Sequence, residues 1–221
     1  MSNNGFLVVI DGIDGSGKTT QVDLLSKYLK ENNISFEVIS FPRYESFYGQ
    51  LIKRYLEGEF GSMKAANPHL IALAYASDRL LAKPQIEQWL NEGKLVIANR
   101  YVSASKAHLG AIMEEDQREE FMSWVEELEY QINNLPRPDL NILLLVDPKV
   151  GQENALKDDL VDMHEESIEH EEKASKIFFE ISQAEENWQV LDCMDNIKMK
   201  PEQKIHQEVI EILKKHGIIN T

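Results

Sequence analysis

The chain has 221 residues, 43% of them hydrophobic, and a formal net charge of -15. That length suits one domain. So acidic a balance argues against a protein whose main task is gripping nucleic acid, though it leaves room for a nucleotide held in a local basic pocket.

Phe6 to Ile10 is an apolar run that reads as a buried parallel strand. Gly12-x-x-x-x-Gly17-Lys18-Thr19 follows, the P-loop pattern. Beyond it Val22, Leu25 and Leu29 share one helical face. In this strand–loop–helix setting the backbone of Gly12, Ile13, Asp14, Gly15, Ser16, Gly17, Lys18, Thr19 and Thr20 can wrap phosphate oxygens. The helix adds its positive N-terminal end. Lys18 can reach the β- and γ-phosphates, and the Thr19 hydroxyl suits Mg²⁺.

Ser35–Ser40 is predicted as the second strand, ended by Phe41-Pro42-Arg43-Tyr44. A short helix is expected over Gly49–Leu56 and a loop over 58–67. Pro68–Leu90 is predicted as a long helix or two abutting ones, broken near Pro84. Lys94–Ala98 forms the third strand, and Ser103–Met113 and Asp116–Ile132 are helical. Leu140–Val146, nearly all apolar, is the fourth strand. Residues 148–161 are expected to be a lid, either a mobile loop or a short helix. Asp162–Ala184 follows as an acidic helix, and the acidic run over 153–172 reads as a solvated face. Trp188–Leu191 is a short fifth strand, Cys193 a small buried residue near its end, and Pro201–His216 the closing helix. A single cysteine excludes an intramolecular disulfide. The first apolar run is too short for a signal peptide, and no stretch approaches the ~18 apolar residues of a membrane span. The chain is therefore expected to be cytoplasmic, with neither membrane nor nucleic acid as partner.

Five buried strands alternating with helices predict an α/β fold. It is expected to be a P-loop NTPase, one domain over residues 1–221, with a five-stranded parallel sheet, helices on both faces and a short lid. Ligands then bind at the carboxyl ends of the strands. The polar residues there are Asp11 and Asp14, Arg43 and Tyr44, Asn99, Arg100 and Tyr101, and Asp147. Arg79 joins them if the long helix crosses the same mouth. Three arginines beside a P-loop point to a phosphorylated acceptor next to a nucleoside triphosphate, because arginine forks match phosphate oxygens.

These residues also resemble the thymidylate kinases, which phosphorylate dTMP with ATP. The likeness rests on Val9–Gln21, Phe41–Tyr44, Tyr75-Ala76-Ser77-Asp78-Arg79, Asn99–His108, Pro138–Leu140 and Asp162–Glu165, in that order and spacing. It implies Mg²⁺ as cofactor, held by Thr19, Asp14 and Asn99, and a homodimer. Tyr75 would stack on the thymine ring and Arg79 would hydrogen-bond a thymine carbonyl, with Ser105 by the base. Arg43 and Arg100 would hold the acceptor phosphate with Tyr44 nearby, and Phe41 would line the pocket. Asp14, His108 and Glu165 would surround the sugar 3′-hydroxyl, and Tyr101 would leave little room for a 2′-hydroxyl. Lys18 and Arg100 would be catalytic.

The chain departs from the family's pattern in places. Asn99 stands where the family usually has aspartate, and His108 and Leu109 replace a common tyrosine and glutamine. No arginine follows Arg137, so Lys157 is the lid's candidate catalytic cation. Two other readings compete. A deoxynucleoside kinase would need a carboxylate base after the second strand, where Arg43 stands. A weakly active nucleotide-binding relative would fit Asn99 and the arginine-free lid.

Overall fold

Alternation within β1 (Phe6–Asp11) decides the layering: Val8 and Ile10 join one buried cluster, Leu7 and Val9 another. A strand apolar on both faces must be covered on both. A computed structural model of the chain describes residues 5–61, 67–156 and 168–220. In it β1 pairs in parallel with β3 (Leu95–Asn99) and β4 (Leu140–Leu145). Outside these lie β2 (Phe36–Ser40), beside β3, and β5 (Trp188–Asp192), beside β4. The order is β2-β3-β1-β4-β5, with every pairing parallel. The chain leaves β1 between two neighbours reached by separate crossovers, and a crevice opens there at the strand's carboxyl end.

Helices α1 (Lys18–Glu31) and α8 (Glu202–Lys215) cover one face, burying Val22, Leu25, Leu29, Val209 and Leu213 against Val8, Ile10 and Ile142. On the other face α3 (Pro68–Asn91), α4 (Val102–Gly110) and α5 (Glu115–Glu126) bury Ile86, Val102 and Phe121 against Leu7, Val9 and Val96. A third cluster joins Ala107 of α4 to Phe178 of α7 (Ile168–Ala184) over Leu143. A short α2 (Phe47–Leu56) begins at Ser46, whose side chain caps the Gly49 N–H at 2.8 Å.

Some expectations are corrected. The expected break near Pro84 is absent: α3 runs through it as one helix. Proline removes only the bond to the Leu80 carbonyl. Leu80 is exposed, where water can take that bond, while Ala82 and Ile86 on the buried side anchor both halves. The described part of the expected lid is a helix, α6 (Pro148–Ala155), started by Asp147, which accepts from the Lys149 N–H at 2.9 Å. Residues 157–161 of the expected lid and 162–167 of the expected acidic helix lie outside the described residues. Past α5 the chain continues as a π-helical segment, Glu127–Ile132. An unexpected hairpin, β6 (Met194–Asp195) with β7 (Lys198–Met199), follows β5. Cys193 is fully buried, and burial pushes its thiol up to about 12, so it is inert at neutral pH. Among the described residues no helix is long and apolar enough to cross a membrane.

Candidate active site

The loop between β1 and α1 closes on itself through Lys18, whose Nζ donates to the Ile13 carbonyl at 2.6 Å. Gly15, at φ 67, also packs against α6: a Cβ there would lie 1.9 Å from the Gly151 carbonyl oxygen. A side chain at Gly15 would therefore push α6 off the loop. Helix α6 and the loop thus share one packed contact, strengthened by Asn154 Nδ2 donating to the Gly15 carbonyl at 3.4 Å. From α7, buried Glu171 accepts the Asp14 N–H at 3.2 Å, so this acid of the 153–172 run is not on the solvated face expected for it.

Arg100, just past β3, has a left-handed backbone at φ 65, rare for a residue with a side chain. Its N–H stays on the Ile10 carbonyl at 3.1 Å, so the turn is tied to β1. The turn sends the guanidinium across to the P-loop, where Nη2 donates to Asp14 Oδ1. On its other side Nη1 lies 2.9 Å from His108 Nε2. Arginine has only donors, so Nε2 must accept and the imidazole proton sits on Nδ1. Asp14 also lies 3.8 Å from Lys18 Nζ, and this carboxylate is therefore surrounded by cations.

Arg43, past β2, is held by Asp78. Nε and Nη2 donate to Asp78 Oδ1 at 3.1 and 3.0 Å, and the backbone N–H to Oδ2 at 2.8 Å. Together with the P-loop, Arg43 and Arg100 line a cleft of about 750 Å³ that also takes in Lys18, Thr19, Phe41, Tyr44 and Asn99. Nearby, Asp11 is fully buried; burial raises its pKa, offset in part by the Ser103 hydroxyl and the charges of Arg100 and Lys18.

Arg79 differs from the other two arginines. Its side chain is 1% exposed and paired with Glu129 from the π-helical segment. It donates further to Ser105 Oγ and to the Tyr101 carbonyl. Burial alone would lower its pKa, but the Glu129 carboxylate outweighs this and holds it above the ordinary value. Tyr75 is half-buried, its ring 6.0 Å from the Arg79 guanidinium carbon. Tyr101 is fully buried against Phe41, and its hydroxyl donates to the Pro136 carbonyl at 3.1 Å, facing the core.

The structure therefore gathers the P-loop, Phe41, Arg43, Tyr44, Asn99 and Arg100 on one cleft, with His108 behind Arg100. Tyr75, Arg79, Tyr101 and Ser105 form a neighbouring, mostly buried network. Lys157 and Glu165 lie outside the described residues. Sequence reasoning quoted Asp78 in a motif but gave it no role, and it gave none to Glu129 or Glu171. For Asp78 a signal existed: it is the one acid between Asn67 and Gln85, and it stands next to Arg79 in the Tyr75–Arg79 segment. For the two glutamates, each among several others, there was none.

The donor set near Thr19 suits a hard cation. Asn99 Nδ2 donates to Thr19 Oγ1 at 3.4 Å, and Asn99 Oδ1 is buried without a hydrogen-bond partner among the described residues. An oxygen left so can accept from a metal's water. Asp14, expected in the metal set, points its carboxylate at Arg100 and Lys18 instead.

Comparison with known proteins agrees with the geometry. A family model described as thymidylate kinase matches residues 10–205. A probable thymidylate kinase of Pyrobaculum aerophilum is 33% identical over 210 residues, covering 94% of this chain and 96% of that one. The thymidylate kinase of Mycobacterium tuberculosis is 31% identical over 150 residues, 67% of this chain and 70% of its own. The solved thymidylate kinase of Candida albicans superposes with a TM-score of 0.78 at 23% identity, over 99% of this chain and 96% of that one. This likeness carries the fold, that of a P-loop NTPase.

Proposed function

The chain belongs to the thymidylate kinase family, and we infer that its cleft runs that family's reaction. The γ-phosphoryl group of ATP passes to the phosphate of dTMP, giving dTDP and ADP. One observation carries the site assignment: two arginines, Arg43 and Arg100, open onto the same cleft as the P-loop, each with its side chain 22% exposed. A nucleoside triphosphate takes up the loop's donors. A second phosphate is the partner that two further arginines can hold.

The mechanism is positioning and charge neutralisation, with no covalent intermediate. The loop from Gly12 to Thr20 turns its N–H groups to the triphosphate, and Lys18 exchanges the Ile13 carbonyl for phosphate oxygens. Arg43 and Arg100 hold the dTMP phosphate so that its oxygen faces the γ-phosphorus in line. Phe41 supplies an apolar wall, with Tyr44 at the rim. Tyr75 presents a ring to the base, and Arg79 and Ser105 its polar edge. Asp14 and His108, which flank Arg100, lie nearest the sugar hydroxyl. Mg²⁺, when bound, neutralises charge on the β- and γ-phosphates, and Thr19 and Asn99 are the residues to hold it. The whole chain acts as one kinase domain, with α6 opening the lid.

Apolar side chains are exposed on α3, among them Leu70, Leu73, Leu80 and Leu81, and on α2, which has Phe47 and Leu51 exposed. Such a stripe is best covered by the same stripe of a second copy, which makes the protein a homodimer. A molar mass of one chain from light scattering at micromolar concentration would contradict this.

Two kinetic tests address the chemistry. In an ADP-release assay dTMP is expected to be the best acceptor and thymidine to give no turnover. The 5-methyl missing from dUMP should cost about 1–3 kcal/mol. Robust phosphorylation of thymidine would overturn the assignment of Arg43 and Arg100 to an acceptor phosphate. For the metal, Asn99→Asp should lower the Mg²⁺ concentration needed for half-maximal rate, because a carboxylate holds the metal's waters more strongly than an amide. An unchanged Mg²⁺ dependence would place Asn99 away from the metal.

A further inference from the structure

The Arg79–Glu129 pair is built unlike the other two arginine–carboxylate pairs at the cleft. Both side chains are 1% exposed, whereas Arg43 and Arg100 are each 22% exposed. Glu129 Oε1 accepts from Arg79 Nε at 2.9 Å and also from Nη2. The other Nη2 proton goes to Ser105 Oγ at 2.6 Å, and one Nη1 proton to the Tyr101 carbonyl at 3.1 Å. A guanidinium carries five N–H donors. Among the described residues these bonds use four of them and leave one N–H, on Nη1.

That remainder decides what Arg79 can recognise. An arginine binds phosphate through its fork of donors and an available charge. Arg79 has neither, since Glu129 occupies its fork and neutralises its charge where water cannot screen either group. A single directional N–H suits one neutral acceptor, such as a pyrimidine carbonyl. The local fold serves this arrangement. Glu129 lies in the π-helical segment, whose wider turn brings it inside while Glu127 stays exposed.

We propose that Glu129 is a positioning residue that sets base recognition, by turning Arg79 from a phosphate-type arginine into a single donor for a neutral carbonyl of the acceptor's pyrimidine. This rests on the reading above that Arg79 meets the base. Glu129 itself touches no substrate; it acts through Arg79.

The test is a steady-state comparison of the full chain with Glu129→Gln, Glu129→Asp, Arg79→Met and the double variant Arg79→Met with Glu129→Gln. The double variant removes both buried charges together, so it avoids the uncompensated arginine that Glu129→Gln leaves behind. Glu129→Gln should raise KM for dTMP about tenfold, the worth of one well-placed hydrogen bond. KM for ATP should not move. Glu129→Asp keeps the charge and should recover most of the loss. The double variant should match Arg79→Met in KM for dTMP, because Glu129 has nothing to position once Arg79 is gone. If Arg79→Met raises KM for dTMP but Glu129→Gln does not, the proposal fails and the reading of Arg79 stands. If Arg79→Met leaves that KM unchanged, the reading of Arg79 fails and the proposal with it. A further rise in the double variant over Arg79→Met would show Glu129 acting by another route and overturn the proposal. Should Glu129→Gln not fold, the match between the double variant and Arg79→Met decides the matter.

Discussion

Each arginine at the mouth of the sheet is held on one carboxylate: Arg43 on Asp78, Arg79 on Glu129, Arg100 on Asp14. A cleft meant for two phosphates must be strongly cationic, and a cationic cleft without ligands repels itself. Local carboxylates remove that cost and fix the direction of each guanidinium before substrate arrives. How far each pair is buried then sets its use. The guanidiniums of Arg43 and Arg100 each reach water, with side chains 22% exposed, so each can offer donors to a phosphate without leaving its carboxylate. The pair of Arg79 is dry, and breaking it would strand a buried charge, at a cost that can reach 3–5 kcal/mol. Two of the arginines are thus suited to bind and release an anion, and the third is suited only to hold still.

The fold serves these pairs. Parallel strands β1 and β3 end side by side, and the left-handed turn at Arg100 carries its side chain over to Asp14 in the P-loop. Helix α3 supplies both Asp78 and Arg79, adjacent in sequence, one reaching back to Arg43 and the other inward to Glu129. Because α3 continues through Pro84, this double attachment sits on one rigid element. The P-loop is pressed from the opposite side by α6 at Gly15 and by Glu171 of α7. The P-loop is therefore packed against two helices besides its own, α6 and α7.

Much of this was legible in the sequence, for reasons that differ by residue. The P-loop was readable because its requirements are local: a strand, glycines at the turns, Lys18-Thr19, then a helix. Arg43, Asn99 and Arg100 were readable because parallel strands direct ligands to their carboxyl ends. The partners of the arginines were not, since pairing depends on contacts 35, 50 and 86 residues apart in the chain. Arg79 was legible as an arginine near the mouth but not as a buried one, because only Glu129 makes its burial tolerable. The β6–β7 hairpin, with two residues to a strand, carries no periodicity to read. The contact of α6 with Gly15 depends on two backbones meeting, which leaves no trace in residue type beyond the glycine itself.

The central claim is that Arg100 is kept on Asp14 in order to be given to the acceptor's phosphate. Calorimetric binding of dTMP and of ATP, each alone, to Arg100→Ala tests it most directly. The account predicts that dTMP affinity falls at least tenfold, a loss on the scale of one charged hydrogen bond, while ATP affinity stays within about twofold of the unaltered protein. Equal losses for both ligands, or a loss confined to ATP, would contradict it.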